Sequence, residues 1–287
     1  MFNICIAQLY RTFRSPRIYI ALIIGCVMQI VSIEPLAKYA EIVGAPLCAF
    51  EGFIYLNCDT YVLSGTVLAA LIMVSDIPFS SGNELFPLLR TTRRRWLLGK
   101  CLYILIVCFL FYGIIFLIGE FYILNNVYFK NEWSKPFQIL SNDINGGLYE
   151  HYRVYLPYVN ISKLTPVRTF IDSIVLSVLY VFSVSLVIFS CNMVLKKGIS
   201  FFLGLMFHIL NYVMTAVLPT PFYKKISLLA NSQIIYHNYE DHHTKIVYPS
   251  IRVSYVIYAI IITLLLFLLS NLVKRYDFKV SVEGNAD

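Results

Sequence analysis

Long apolar stretches separated by short polar ones dominate the chain. The runs fall at about Ile18–Ile33, Tyr61–Ser75, Trp96–Leu124, Thr169–Val194, Ile199–Val217 and Ser254–Val273. A helix that crosses the hydrocarbon layer needs roughly 17–25 apolar residues. The last four runs meet that length. The first two are short, so their ends are expected to shift by several residues. The pattern predicts an all-α membrane protein with six transmembrane helices. Just before the second run, Glu51-Gly52-Phe53 and the apolar residues to Leu56 mark a place where the chain could dip into the membrane and return.

Outside the runs the pattern is equally informative. Phe2, Cys5, Ile6, Leu9 and Phe13 recur at helical spacing, with Asn3, Gln8, Arg11 and Arg14 on the other side. This predicts a helix over about residues 1–14 lying in the membrane interface. No small-x-small cleavage signal follows the first run, which reads Ser32-Ile33-Glu34-Pro35 at its end, so it is read as a retained span. The segment 76–95 is broken by Pro78, Gly82 and Pro87, and Thr92 is placed to cap the third span. Two long polar segments follow, about 125–168 and 219–252. The first is rich in aromatics (Tyr128, Phe129, Trp133, Phe137, Tyr149, Tyr152) that either lie on the headgroup layer or build a small folded cap. Asn145-Gly146-Gly147 marks a turn there. In the second, Ile226–Ile235 is apolar enough to lie along or dip into the outer leaflet. No internal repeat divides the chain, so residues 1–287 are one transmembrane domain.

Composition excludes a water-soluble core: 59% of the 287 residues are hydrophobic and 14% charged, and the mean hydropathy is +0.71. Charge then sets orientation. If the N-terminus is cytoplasmic, thirteen of the 23 Lys and Arg but only five of the 16 Asp and Glu fall on the inner side. The positive-inside rule therefore puts both termini in the cytoplasm. The net charge of +7 belongs to segments hugging anionic headgroups, which argues against a nucleic-acid partner. One feature runs against the helix dipole: Arg93, Arg94 and Arg95 sit at the positive end of the third span. Anionic lipid or an acidic partner surface would offset that cost.

Candidate chemistry is sparse. There is no GxxxxGK[ST]; Gly99-Lys100 is followed by Cys101, so the chain is not expected to hydrolyse ATP or to be an enzyme. HExxH and GxSxG are absent. His237, Glu240, Asp241, His242 and His243 are metal-competent, but they read as a solvated loop, and no metal site is expected. His208 and Asn211, one turn apart on the fifth span, either glue helices together or line a translocation path. Glu120 and Asp172 lie near outer span ends and Asp76 at an inner one. No acid is central, which argues against ion coupling. Cys48 and Cys58 share one external segment and could form a disulfide. The other five cysteines sit in apolar surroundings and behave as small hydrophobes.

The loop after the second span carries a family pattern: Ser75-Asp76-Ile77-Pro78-Phe79, Phe86-Pro87-Leu88-Leu89-Arg90-Thr91, then Arg93-Arg94-Arg95-Trp96-Leu97-Leu98-Gly99-Lys100. It resembles bacterial permease subunits of type-2 ATP-binding-cassette exporters. The resemblance implies an interfacial N-terminal helix, six spans, a cytoplasmic coupling helix between spans two and three, and a partly re-entrant outer segment between spans five and six. By position, Glu84–Thr91 would be the coupling helix in a groove of the ATPase. Phe86, Leu88 and Leu89 would supply apolar contacts, while Arg90, Arg93 and Arg94 would pair with acids or lipid and Glu84 would open the helix. The long aromatic segment 125–168 departs from the family layout.

The same resemblance implies two ATPase subunits, which would carry ATP and Mg, and a second permease subunit, identical or different. No cofactor is expected in this chain. The expected role is export of a hydrophobic or amphipathic substrate (peptide, lipid or drug) across the bacterial cell membrane. The alternative is a non-transporting polytopic scaffold or sensor that binds a peptide or envelope ligand through its external segments. A third reading is a self-sufficient secondary carrier.

Overall fold

A computed structural model describes residues 2–75, 77, 91–143, 147–154, 156, 164–195, 197–218, 220–237 and 248–275. Among them, five helices are long and apolar enough to cross a membrane. One bent pair raises the number to six when it is counted as a single span. The chain is thus a helical, multi-pass membrane protein.

Helix α1 (Phe2–Phe13) packs along the start of α5 (Arg93–Ile123). Its inward face is not the apolar stripe that spacing suggests. Ile4, Cys5 and Gln8 are buried, whereas Phe2, Ile6 and Phe13 stay exposed. The reason is a polar contact: Lys100 Nζ, itself buried, donates to Gln8 Oε1 at 2.8 Å. Thr12 and Tyr103 share a hydrogen bond at 2.5 Å one turn further along.

Helix α2 (Pro16–Val43) runs well past the apolar run that ends at Ile33. Its 28 residues span about 42 Å, more than the ~30 Å hydrocarbon layer. The last turns carry Glu34, Lys38 and Glu41, and Lys38 pairs with Glu34 at 2.6 Å. The helix stops at Gly44, whose φ of 67° lets its N–H bond back to Ala40 O and Glu41 O. The first span is therefore longer than its hydropathy alone indicates.

The second apolar run belongs to a bent pair of helices. Helices α3 (Glu51–Cys58) and α4 (Thr60–Val74) meet at Asp59 with a bend of 96°. The 15 residues of α4 rise only about 22 Å, too little to cross alone. Every residue of α3 is buried, as lipid requires of non-continuous backbone at membrane depth. The Asp59 carboxylate caps α4 by accepting from Tyr61 N and Val62 N.

Helix α5 begins as the sequence suggests, with Thr92 Oγ1 accepting from Arg95 N. After it, Val127–Tyr128 pairs in parallel with Leu47–Cys48, and α6 (Lys135–Ser141) closes over the junction. Trp133 stacks on Phe137 at 4.9 Å and donates to Leu164 O at 2.8 Å. Of the two readings of this aromatic segment, the described part is a folded cap. A short helix, α7 (Gly147–Tyr152), follows; Asn145 and Gly146 of the expected turn lie outside the described residues.

Helix α8 (Pro166–Asn192) is the central span. Of its most apolar window 72% is buried, against 17% for the last helix, α12 (Ile251–Arg275). Ser173, Ser183, Ser185 and Ser190 make this possible, because each hydroxyl bonds the carbonyl four residues back. Helix α9 (Lys197–Tyr212) ends in a π-helical turn, Val213–Val217. From there α10 (Pro221–Ile226) and α11 (Leu228–Asn231) lead back to α12. Unlike α10, the four residues of α11 are all buried.

At the α1 end, Arg93 donates to Val273 O at 3.1 Å and also to Lys274 O. Asn192 donates to Ile77 O in the same region. The Arg93 contact gives an internal reason for a cation at the start of α5: it meets the free carbonyls and negative dipole end of α12. Arg94 and Arg95 remain exposed.

Candidate functional site

The polar groups within the bundle gather around the two short buried helices. Asn57, the next-to-last residue of α3, is the hub. Its Oδ1 accepts from Ile234 N at 2.9 Å, and its Nδ2 donates to Ser232 O and to Ser177 Oγ, both at 3.1 Å. Its own carbonyl accepts from Gln233 Nε2 at 3.0 Å, while Thr60 Oγ1 donates to Gln233 Oε1 at 3.1 Å. Asn57 thereby supplies the partners that the irregular backbone after α11 lacks. Such backbone is tolerated in an apolar layer only when protein groups satisfy it.

Asn211 does the same from the other side. Its Oδ1 accepts from Leu228 N at 2.8 Å, at the first turn of α11. Ser227 caps that helix by accepting from Ala230 N at 3.3 Å and bonds Thr215 Oγ1 at 2.7 Å. Tyr258 OH donates to Leu228 O at 2.6 Å, and Ser254 Oγ to Asn231 Oδ1 at 2.6 Å. His208 lies deeper, between Ser64 Oγ at 2.9 Å and Tyr180 OH at 2.8 Å. So His208 and Asn211, the candidates for a path, are both engaged by neighbouring helices. His208 ties α9 to α4 and α8; Asn211 ties it to α11.

Other sequence candidates fare differently. Glu84, Phe86, Leu88, Leu89 and Arg90 lie outside the described residues. Arg93 and Arg94 are placed as given above. Cys48 and Cys58 are not bonded to each other; both are free and buried. The physical reason is α3, which stands between them. Its eight residues separate the two positions by about 10 Å along the axis, beyond the span of a disulfide. Cys48 Sγ donates instead to Lys130 O at 3.2 Å, and burial pushes its thiol up to about 11. His237 is buried against backbone, 3.1 Å from Asn231 O and 3.4 Å from Pro249 O. The rest of that metal-competent group lies outside the described residues. Among the described residues no three His, Cys, Asp or Glu are grouped to hold a metal ion.

Two carboxyls complete the picture. Glu51, fully buried, accepts from Cys48 N at 2.9 Å and Ser134 N at 2.7 Å, binding the cap to α3. Glu120 on α5 is also buried, and neither of its oxygens has a hydrogen-bond partner. The sequence reading missed the hub Asn57, the tie Glu51 and the polar residues Gln29 and Ser32 on α2. The one available signal was a lone amide, hydroxyl or acid inside or beside an apolar run, which spacing cannot rank.

No family model, curated protein or solved structure matches this chain.

Proposed function

We propose that this chain is the membrane-spanning permease subunit of an ATP-driven exporter, energised by a separate ATPase and handling an amphipathic or hydrophobic substrate. The observation that carries the reading is the return of the chain into the bundle at α11, between the fifth and sixth crossings. The resemblance implies a partly re-entrant outer segment at this place in the chain, and here Asn57 and Asn211 bond the chain to the bundle. A helix packed across the start of the third span agrees with the same layout.

In this reading the α1 end faces the cytoplasm of a bacterial cell, both termini with it, and α1 lies in the membrane interface. The segment 76–95 receives the ATPase, with Glu84–Thr91 as the coupling helix. Arg93 would then pass a displacement of that segment to the end of α12 through its bonds to Val273 and Lys274. The complex would hold two ATPase subunits, carrying ATP and Mg, and a second permease.

The test is co-purification with the P-loop protein encoded beside the gene, followed by transport in proteoliposomes. The double substitution Phe86→Asp, Arg90→Glu is expected to abolish both ATPase association and ATP-dependent transport. Transport that survives it would end the coupling assignment.

A further inference from the structure

An apolar cavity lies at the elbow where α1 turns into α2. One stripe of α5 lines it along its length: Val107, Leu110, Phe111 and Ile114, spaced i, i+3, i+4 and i+7. Those positions cover about 10 Å of helix. Phe13 and Ile18, on either side of the elbow, line it too. Ile18, Val107 and Phe111 are buried, whereas Phe13 and Leu110 are 48% and 45% exposed, so the cavity opens past these two. The one polar side chain in the lining is Thr12. Its hydroxyl is engaged, by Gln8 O at 2.9 Å and Tyr103 OH at 2.5 Å. A water molecule needs two to four polar partners, so this lining suits hydrocarbon instead.

Size and anchoring narrow the occupant. The volume is about 60 Å³, under half that of a cavity that admits a benzene ring (~150 Å³). A narrow chain fits, and a ring does not. Two fixed points bracket Val107 along α5. On one side the Thr12–Tyr103 bond holds α1. On the other, Gly25 brings α2 so close to α5 that a Cβ there would stand 2.8 Å from the Phe111 ring.

Charge supplies the rest. Arg14 follows Phe13 in the chain and Arg17 precedes Ile18, so both arginine stems start about 3.8 Å from a lining residue. Both side chains are exposed. Arg14 lies over the Tyr10 ring, 4.3 Å from its centroid. The sequence has no acid before Glu34, none in α4 and none in α5 before Glu120. The parts of the four helices that build the cavity therefore offer cations and no carboxylate. In a membrane, the molecule that joins a narrow hydrocarbon chain to a negative charge at the interface is an anionic phospholipid. We propose that the elbow cavity binds one acyl chain of an anionic phospholipid whose headgroup lies against Arg14 and Arg17. This goes beyond the exporter reading and does not use it.

The experiment is photolabelling of the purified full chain in phosphatidylcholine nanodiscs. The probes are phosphatidylglycerol and phosphatidylcholine, each with a diazirine on one acyl chain, and label is mapped by peptide. Label around Leu264 and Phe267, exposed on α12, reports ordinary lipid contact. Relative to that reference, phosphatidylglycerol is expected to label residues 107–114 about tenfold more than phosphatidylcholine does. Arg14→Gln combined with Arg17→Gln should erase the preference. Ile114→Trp should fill the cavity and cut phosphatidylglycerol label there severalfold. Equal labelling by the two probes would mean that any hydrocarbon tail enters, and overturns the proposal. A preference that survives the arginine change, or label that survives Ile114→Trp, overturns it as well. Should Ile114→Trp fail to fold, the parent chain and the arginine variant decide alone. Absence of label at 107–114, with Leu110→Cys chains joining as disulfide dimers, would place a second copy in the cavity and also overturn it. None of these measurements involves an ATPase, so the exporter reading stands or falls separately.

Discussion

Two polar regions of this bundle obey opposite rules. Around Asn57 and α11, amides and hydroxyls pair with backbone and with one another. Between α2 and α5, Gln29, Ser32 and Glu120 pair with nothing. The first region pins a chain that would otherwise leave backbone groups bare in an apolar layer. The second contributes nothing of the kind to the fold, since no element depends on its bonds. In an apolar solvent a satisfied polar group acts as a fastener, and an unsatisfied one is a cost to the fold.

The sharpest way to break the comparison is at the hub. Asn57→Leu removes the partners of Ile234 N and Ser232 O together, and each stranded buried group costs roughly 1–3 kcal/mol. A loss of about 3 kcal/mol or more is expected in reversible unfolding, with protease cleavage appearing near 228–236. The two acids offer a matched pair. Glu51→Gln places an amide NH2 against one backbone N–H donor and should destabilise by about 2 kcal/mol. Glu120→Gln removes an unpaired acid without breaking a bond and should leave the melting temperature unchanged or higher.

Glycine substitutions give the next largest effect. Gly119→Ala must displace the Gln29 amide and should cost about 1–2 kcal/mol. Gly113→Ala on the same helix, where nothing lies within 4 Å of the new methyl, should be neutral or gain up to about 1 kcal/mol from helix propensity.

A smaller effect tests the satisfied region by pH. Burial lowers His237 from its ordinary value of 6.5, outweighing the two carbonyls beside it. The folded chain thus disfavours the protonated ring, so this contribution is present above about pH 6.5 and lost as pH falls. Melting temperatures should drop between pH 7 and pH 5, and His237→Asn should flatten that slope. Smallest of all, an intact mass measured with and without reductant should not change, because Cys48 and Cys58 are free. A gain of two hydrogens would reverse that finding.

Much of the scaffold was legible from residue order. Runs of apolar side chains mark the spans because lipid selects composition over a length the bilayer sets. Thr92 announced a helix start because capping is a local act. Misjudgements came where a distant partner decides. Gln8 looked like a surface residue until Lys100 claimed it. Arg93 looked like a dipole penalty until the end of α12 supplied carbonyls. His208 and Asn211 were visible as polar residues in a span, but the helices they fasten were not.

The sequence by itself determined that this chain lives in a membrane, that it crosses several times, and that the connection before its second apolar run is unusual. Those properties depend on composition summed over neighbours in the chain. Tertiary structure alone decided that α3 and α11 meet through Asn57, that α3 keeps Cys48 from Cys58, and that Glu51 is solvated by backbone while Glu120 is not. Each of these turns on which groups from remote segments come within hydrogen-bond reach. In a layer without water, that reach decides which polar residues can hold remote segments together.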